Sequence, residues 1–145
     1  MNMTKLTLEV ANSIINRACS TASGKGLKPL SVAVLDAGGH LVAFQKQDGA
    51  SMLRFEIAFG KAYGALAVGF GSRWLDKASA DRPHFVAGLT SISGGKIVPV
   101  PGGVLVRDQA GRLLGAVGIT GDTSDNDEAV AVEAIEIGGL NAQAA

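Results

Sequence analysis

The spacing of hydrophobic positions changes several times along this chain, and each change marks an element. From Thr7 the apolar residues Leu8, Ala11, Ile14, Ile15, Ala18 and Ala22 recur at three and four, which places them on one helix face. That helix ends near Gly24 and Gly26, where glycine can take the left-handed turn that closes a helix. After Pro29 two apolar and β-branched runs, Ser31 to Asp36 and His40 to Gln45, flank Ala37, Gly38 and Gly39. Two such runs around a glycine turn predict a hairpin. Helical spacing returns from Ser51 to about Gly69 through Phe55, Ala58, Phe59, Ala62 and Leu66. Gly60 and Gly64 inside that helix each cost about 1 kcal/mol relative to alanine, so close packing of backbones is their expected use. The pattern then weakens. It predicts a helix from about Ser72 to Ala80, a break at Pro83 and a short helical turn from Phe85 to Ser91. Ile97 to Val100, Gly103 to Arg107 and Leu113 to Ile119 read as three strands, the last two joined by a turn from Asp108 to Gly111. A final helix covers about Ser124 to Gly138, its first turn crowded with acidic residues that suit the helix dipole.

The predicted order is α-β-β-α-α-β-β-β-α. Hairpin connections dominate it, so the expected fold class is α+β, an antiparallel five-stranded sheet flanked by helices. Residues 1–145 fit one domain. Hydrophobic residues make up 47% of the chain and charged residues 18%, which is apolar enough to expect part of the surface to be covered in a homo-oligomer. The 13 basic and 13 acidic side chains cancel without forming a basic block, which excludes a nucleic-acid surface. Cys19 is the single cysteine and leaves no internal disulfide. No stretch reaches the ~20 apolar residues of a membrane span, and the N-terminus does not read as a signal peptide. A cytoplasmic protein with no membrane partner is therefore expected.

Arg54 and Lys61 lie seven residues apart on one stripe of the central helix. If that stripe meets the turn at Gly102 and Gly103 and the stretch Gly121, Asp122 and Thr123 before the last helix, cations and backbone amides converge as a cradle for a carboxylate or phosphate. In the competing reading both cations are solvated or paired with Glu56 or Asp48. His40, beside the glycine turn, is a candidate haem-iron ligand, a candidate acid or base, or simply a hydrogen-bonded turn residue. His84 is a candidate second axial ligand or an exposed loop residue. Asp36 and Lys61 join His40 as catalytic candidates. Asp122, Asp125, Asp127 and Glu128 read as helix-start acids, with Asp125 and Glu128 spaced like a capping box. No zinc ligand set, phosphate loop, dinucleotide fingerprint or nucleophile elbow is present.

The run from Val34 to Phe44, then Asp48 to Ala50, Lys61 and Ala62, Pro101 to Gly103, and Gly115 to Gly121 followed by Asp127 and Glu128, together resemble the GlcG/HbpS family. That family includes the C-terminal domain of PduO-type corrinoid adenosyltransferases. The resemblance spans nearly the whole chain. It implies a profilin-like fold with the predicted sheet, assembled as dimers or larger oligomers. It also implies a small-molecule ligand. Some members bind haem, and HbpS-like members are linked to haem sensing or breakdown. Others lie among genes for glycolate, diol or aromatic-acid catabolism. The first-helix histidine associated with PduO-like domains is absent from the helix that starts at Thr7, whereas His40 matches a position where many members also carry histidine. The expected function is binding of haem or a small organic acid between the central helix and the glycine turns. The alternative is an enzyme acting on a small carboxylic acid in a catabolic pathway, with His40 or Asp36 as acid or base and Lys61 as electrostatic stabiliser. A third reading is a structural accessory subunit.

Overall fold

The computed structural model describes residues 5–145. Along them run α1 (Leu8–Gly24), β1 (Ser31–Asp36), β2 (Leu41–Lys46), α2 (Arg54–Val68), α3 (Ser72–Asp81) and α4 (Pro83–Ile92). Then follow β3 (Gly103–Arg107), β4 (Leu113–Thr120), α5 (Ser124–Ile137) and β5 (Asn141–Gln143). The strands form one antiparallel sheet in the order β2-β1-β4-β3-β5, so the fold is α+β as the sequence predicts. No helix among the described residues is long and apolar enough to cross a membrane.

The alternation of side chains along the central strands sorts the core into two layers. Val32 and Val34 of β1, Val104 and Val106 of β3, and Val117 and Ile119 of β4 face α1 and α5. Ala33, Leu35, Leu105 and Ala116 face α2. That second layer is thin because small residues occupy both sides of it. A Cβ added to Gly118 would lie 1.9 Å from the Ala58 carbonyl oxygen, and one on Gly103 would lie 2.1 Å from that of Lys61. The α2 backbone therefore rests directly on the sheet. Gly60 and Gly64 serve its other side, where a Cβ would meet Val98 at 2.4 Å and Leu75 at 2.9 Å. The helix is gripped between two surfaces, which is the packing reason its glycines suggest.

Two elements differ from the sequence reading. Ile97 to Val100 pairs with no strand among the described residues; it straps α2, with the Val98 amide donating to the Gly60 carbonyl at 3.2 Å. The place beside β3 is taken by β5, whose residues Asn141, Ala142 and Gln143 pair with Arg107, Val106 and Leu105. Three residues without a β-branched or aromatic member carry no strand signal, so tertiary context alone decides their state. Pro83 does mark the predicted break, since α3 ends at Asp81 before it. It begins α4, where its missing N–H has no partner to lose.

Candidate functional site

The candidate residues divide between the two ends of the sheet. Ser31 pairs with Thr120 at one end of β1 and Asp36 with Gly115 at the other. At the usual rise of a strand those ends are about 17 Å apart. His40 and Asp36 are therefore not part of the cluster formed by Arg54 and Lys61.

At the Thr120 end, Lys61 is 2% exposed, and its Nζ donates to the Ile119 carbonyl at 2.9 Å and to Asp127 Oδ2 at 3.3 Å. Asp127 is 1% exposed, and its Oδ1 accepts from the Asp122 amide at 3.0 Å. Burial pulls the Lys61 ammonium below its ordinary pKa and pushes the Asp127 carboxyl above its own. Their mutual attraction opposes both shifts, while nearby Arg54 lowers Lys61 further. Gly102 has φ +124, and a Cβ there would come within 2.6 Å of the Ile119 carbonyl and 2.9 Å of Lys61 Nζ. The Gly103 amide donates to Ser72 Oγ at 2.7 Å. Gly121, at φ +148, lies against the Pro29 carbonyl.

Asp122 accepts from the Asn126 side chain, the Lys28 amide and the Thr123 amide, in that order of effect, and these hold its carboxyl near 2. Thr123 is the N-cap of α5, its Oγ1 accepting from the Asn126 amide at 3.2 Å. Asp125 and Glu128 form no capping box. Both accept from Arg73, whose Nε lies 2.9 Å from Glu128 Oε2, and this pairing raises the Arg73 pKa further.

Lys61 lies against Gly102 and Gly103, but its partner is Asp127, neither Glu56 nor Asp48. Its Nζ and the Gly103 amide are already committed within the chain, joining α2, β4, α3 and the start of α5. Arg54 differs. Its Nη1 donates to Thr120 Oγ1 at 2.8 Å and its Nε to Ser51 Oγ at 3.1 Å, both neutral oxygens.

At the other end, Asp36 Oδ1 accepts from the amides of Gly38 and His40 at 2.9 and 3.0 Å and lies 3.2 Å from His40 Nδ1. Its slight burial acts to raise the carboxyl pKa, and these bonds outweigh it and lower the value. The His40 side chain is 81% exposed and borders a cavity of about 390 Å³ lined by Lys5, Leu6, Val42, Leu113 and Leu114 as well as Asp36. That volume falls within the ~300–1,000 Å³ of small-molecule sites. His84 is exposed on α4, which among the other elements packs against α3 alone, and it does not border this cavity.

Sequence reasoning did not find Lys5, Leu6 and Leu113 as cavity walls, nor Thr120 as the partner of Arg54 with Ser31 across from it. Strand register, which pattern does not reveal, brings them together. Asp127 did carry a signal. It shares the helical phase of Val130, Ala131, Ala134 and Ile135, the buried face of α5.

Known proteins share this sheet and its helices. The structure of a PduOC:haem complex is 25% identical, with a TM-score of 0.84 over 95% of this chain and 98% of the other. A double mutant of HbpS from Streptomyces reticuli is 28% identical, with a TM-score of 0.79 over 94% and 89% of the two chains. An uncharacterized 15.0 kDa protein in the dhaT-dhaS intergenic region of Citrobacter freundii is 26% identical across 94% of this chain and 96% of its own length. The family model described as haem degrading protein HbpS-like matches residues 6–136, nearly the whole length, and the chain belongs to that family.

Proposed function

We propose that this protein binds a small molecule in the cavity at the β1–β2 turn, with haem as the first candidate ligand. The observation that carries the reading is His40. Its Nδ1 is held by Asp36, and its Nε2 has no hydrogen-bond partner among the described residues. A carboxylate behind an imidazole fixes the ring's orientation and tautomer and leaves its other nitrogen free to ligate, which suits an iron ligand. Leu6, Val42, Leu113 and Leu114 offer an apolar wall to a macrocycle, and Lys5 offers a cation to a propionate. These residues fit one face of haem, whose iron would supply redox chemistry when bound. The chain's own part is to present the imidazole, shield one face and pair the acid groups. The haem complex formed by the PduOC relative supports the choice of ligand. The same reading includes a homo-oligomer, supported by exposed Met52 and Ile92.

Titration with haem, followed at the Soret band, tests it. Wild type and His84→Ala should saturate with the same spectrum, and His40→Ala should shift the band and weaken binding. A response that never saturates, or one indifferent to His40, would remove haem from this site.

A second reading, an enzyme acting on a small carboxylic acid, is favoured by the Asp36–His40 pair itself. A histidine oriented by a carboxylate is suited to move a proton at Nε2. Lys61 has its Nζ committed to Asp127 and Ile119, so in this reading it supports the fold and His40 touches the substrate. Exchange of substrate Cα protons with heavy water, abolished by His40→Ala, is its expected signature.

A further inference from the structure

Arg54 opens α2, and the residue before it, Leu53, contributes no side-chain cap to the first turn. The partly buried guanidinium donates to the hydroxyls of Ser51 and Thr120 and has no carboxylate partner among the described residues. It also lies close enough to Lys61 to disfavour a second positive charge there. A cation left with neutral partners at the positive end of a helix lacks a counter-charge. Asp48 and Glu56, its nearest acids in sequence, are exposed and make no ion pair among the described residues.

Beneath Arg54, Thr120 and Ser31 are cross-strand partners, so their side chains leave the same face of the sheet. Both are buried. The Thr120 hydroxyl is bound by Arg54, whereas Ser31 Oγ is the one buried side-chain nitrogen or oxygen among the described residues with no hydrogen-bond partner. Leaving such a group unpaired is unfavourable, because it has given up its bond to water and gained none in return. Ser31 also pairs with Lys46 on its other side. A guanidinium without a carboxylate partner, two buried hydroxyls and a helix start without a side-chain cap lie together here.

We propose that Arg54, Ser31 and Thr120 form a binding site for a small oxyanion, a carboxylate or a phosphate, at the start of α2 and separate from the His40 cavity. Ser31 has no exposed surface, so the anion enters as Arg54 swings away from Thr120, and the guanidinium then closes on it. One anion oxygen accepts from the two hydroxyls, and the rest of the head group faces the guanidinium fork and the first-turn amides.

Calorimetric titration at constant ionic strength tests the site, with sodium acetate in one arm, inorganic phosphate in a second and chloride as reference. Wild type should give saturable heat with acetate or phosphate and none with chloride, the tighter arm naming the head group. Arg54→Gln should abolish it. Ser31→Ala should weaken it roughly tenfold or more, as loss of a bond to a charged group does. Without anion, Ser31→Ala should melt no lower than wild type, because that hydroxyl holds nothing in the free chain. His40→Ala should bind the anion as wild type does, whatever becomes of haem binding. No saturable heat in either arm, equal binding by Ser31→Ala, a lower melting point for anion-free Ser31→Ala, or loss of anion binding in His40→Ala would each overturn the proposal.

Discussion

Lys61 and Asp127 are together far less costly to bury than either would be alone. Taking a charge out of water costs several kcal/mol, and each of these offsets the other's loss, helped by the Ile119 carbonyl and the Asp122 amide. Removing one partner should therefore do more harm than removing both. Lys61→Met is expected to destabilise by about 3–5 kcal/mol in urea unfolding, and combining it with Asp127→Leu should recover much of that loss. Equal costs for the single and double variants would show that the pair is not coupled. Asp122 gives a pH-dependent prediction. Its folded value near 2 lies below the ordinary 3.8, so its contribution is present above about pH 4 and is lost as pH falls toward 2. Thermal midpoints should decline over that window, and Asp122→Asn should make the decline shallower. Asp122 and Thr123 are identifiable in the sequence as helix-start residues. The closed Lys61–Asp127 pair is not, because seven-residue spacing gives the stripe on which a lysine lies without naming what packs against it.

Among the elements, α2 shows how glycine position determines what a substitution does. On the sheet side, Gly118→Ala would drive a Cβ into the Ala58 carbonyl at 1.9 Å. Backbone on both sides leaves nothing flexible to yield, so the cost should reach or exceed the ~1–3 kcal/mol of ordinary overpacking. Gly88 of α4 is the contrast. It is exposed, a Cβ there would meet nothing within 4 Å, and Gly88→Ala should stabilise by up to ~1 kcal/mol through helix propensity and a less flexible unfolded chain. If both substitutions shift the urea midpoint alike, close packing of α2 on the sheet does not explain Gly118. The helices and the hairpin were legible because their periods differ and glycine punctuates them. Ile97 to Val100 misled the reading because apolar residues that strap a helix have the composition of a strand. β5 escaped it because Asn141 to Gln143 becomes a strand only by arriving beside β3.

At the scale of the molecule, His40 and Arg54 lie near opposite ends of β1, so the two sites proposed for this chain are separate, where the sequence reading expected one pocket between α2 and the glycine turns. Only strand register shows this, and the sequence reading had no access to it. The apolar composition, in contrast, has a visible counterpart on the surface. Met52 is 91% exposed and Ile92 83%, and α4 buries only Val86 among its ten residues. Large side chains left in water at that density call for a partner surface, and a second copy of the chain is the economical one, because a self-complementary patch buries twice with each contact. Light scattering on the purified protein should therefore return a multiple of the chain mass. Ile92→Glu, on a helix whose interior contacts it leaves intact, should lower that mass while keeping the circular dichroism of the wild type. A wild-type protein that runs as a monomer at every concentration would show that its apolar surface is tolerated in water, and the composition argument for a homo-oligomer would fall.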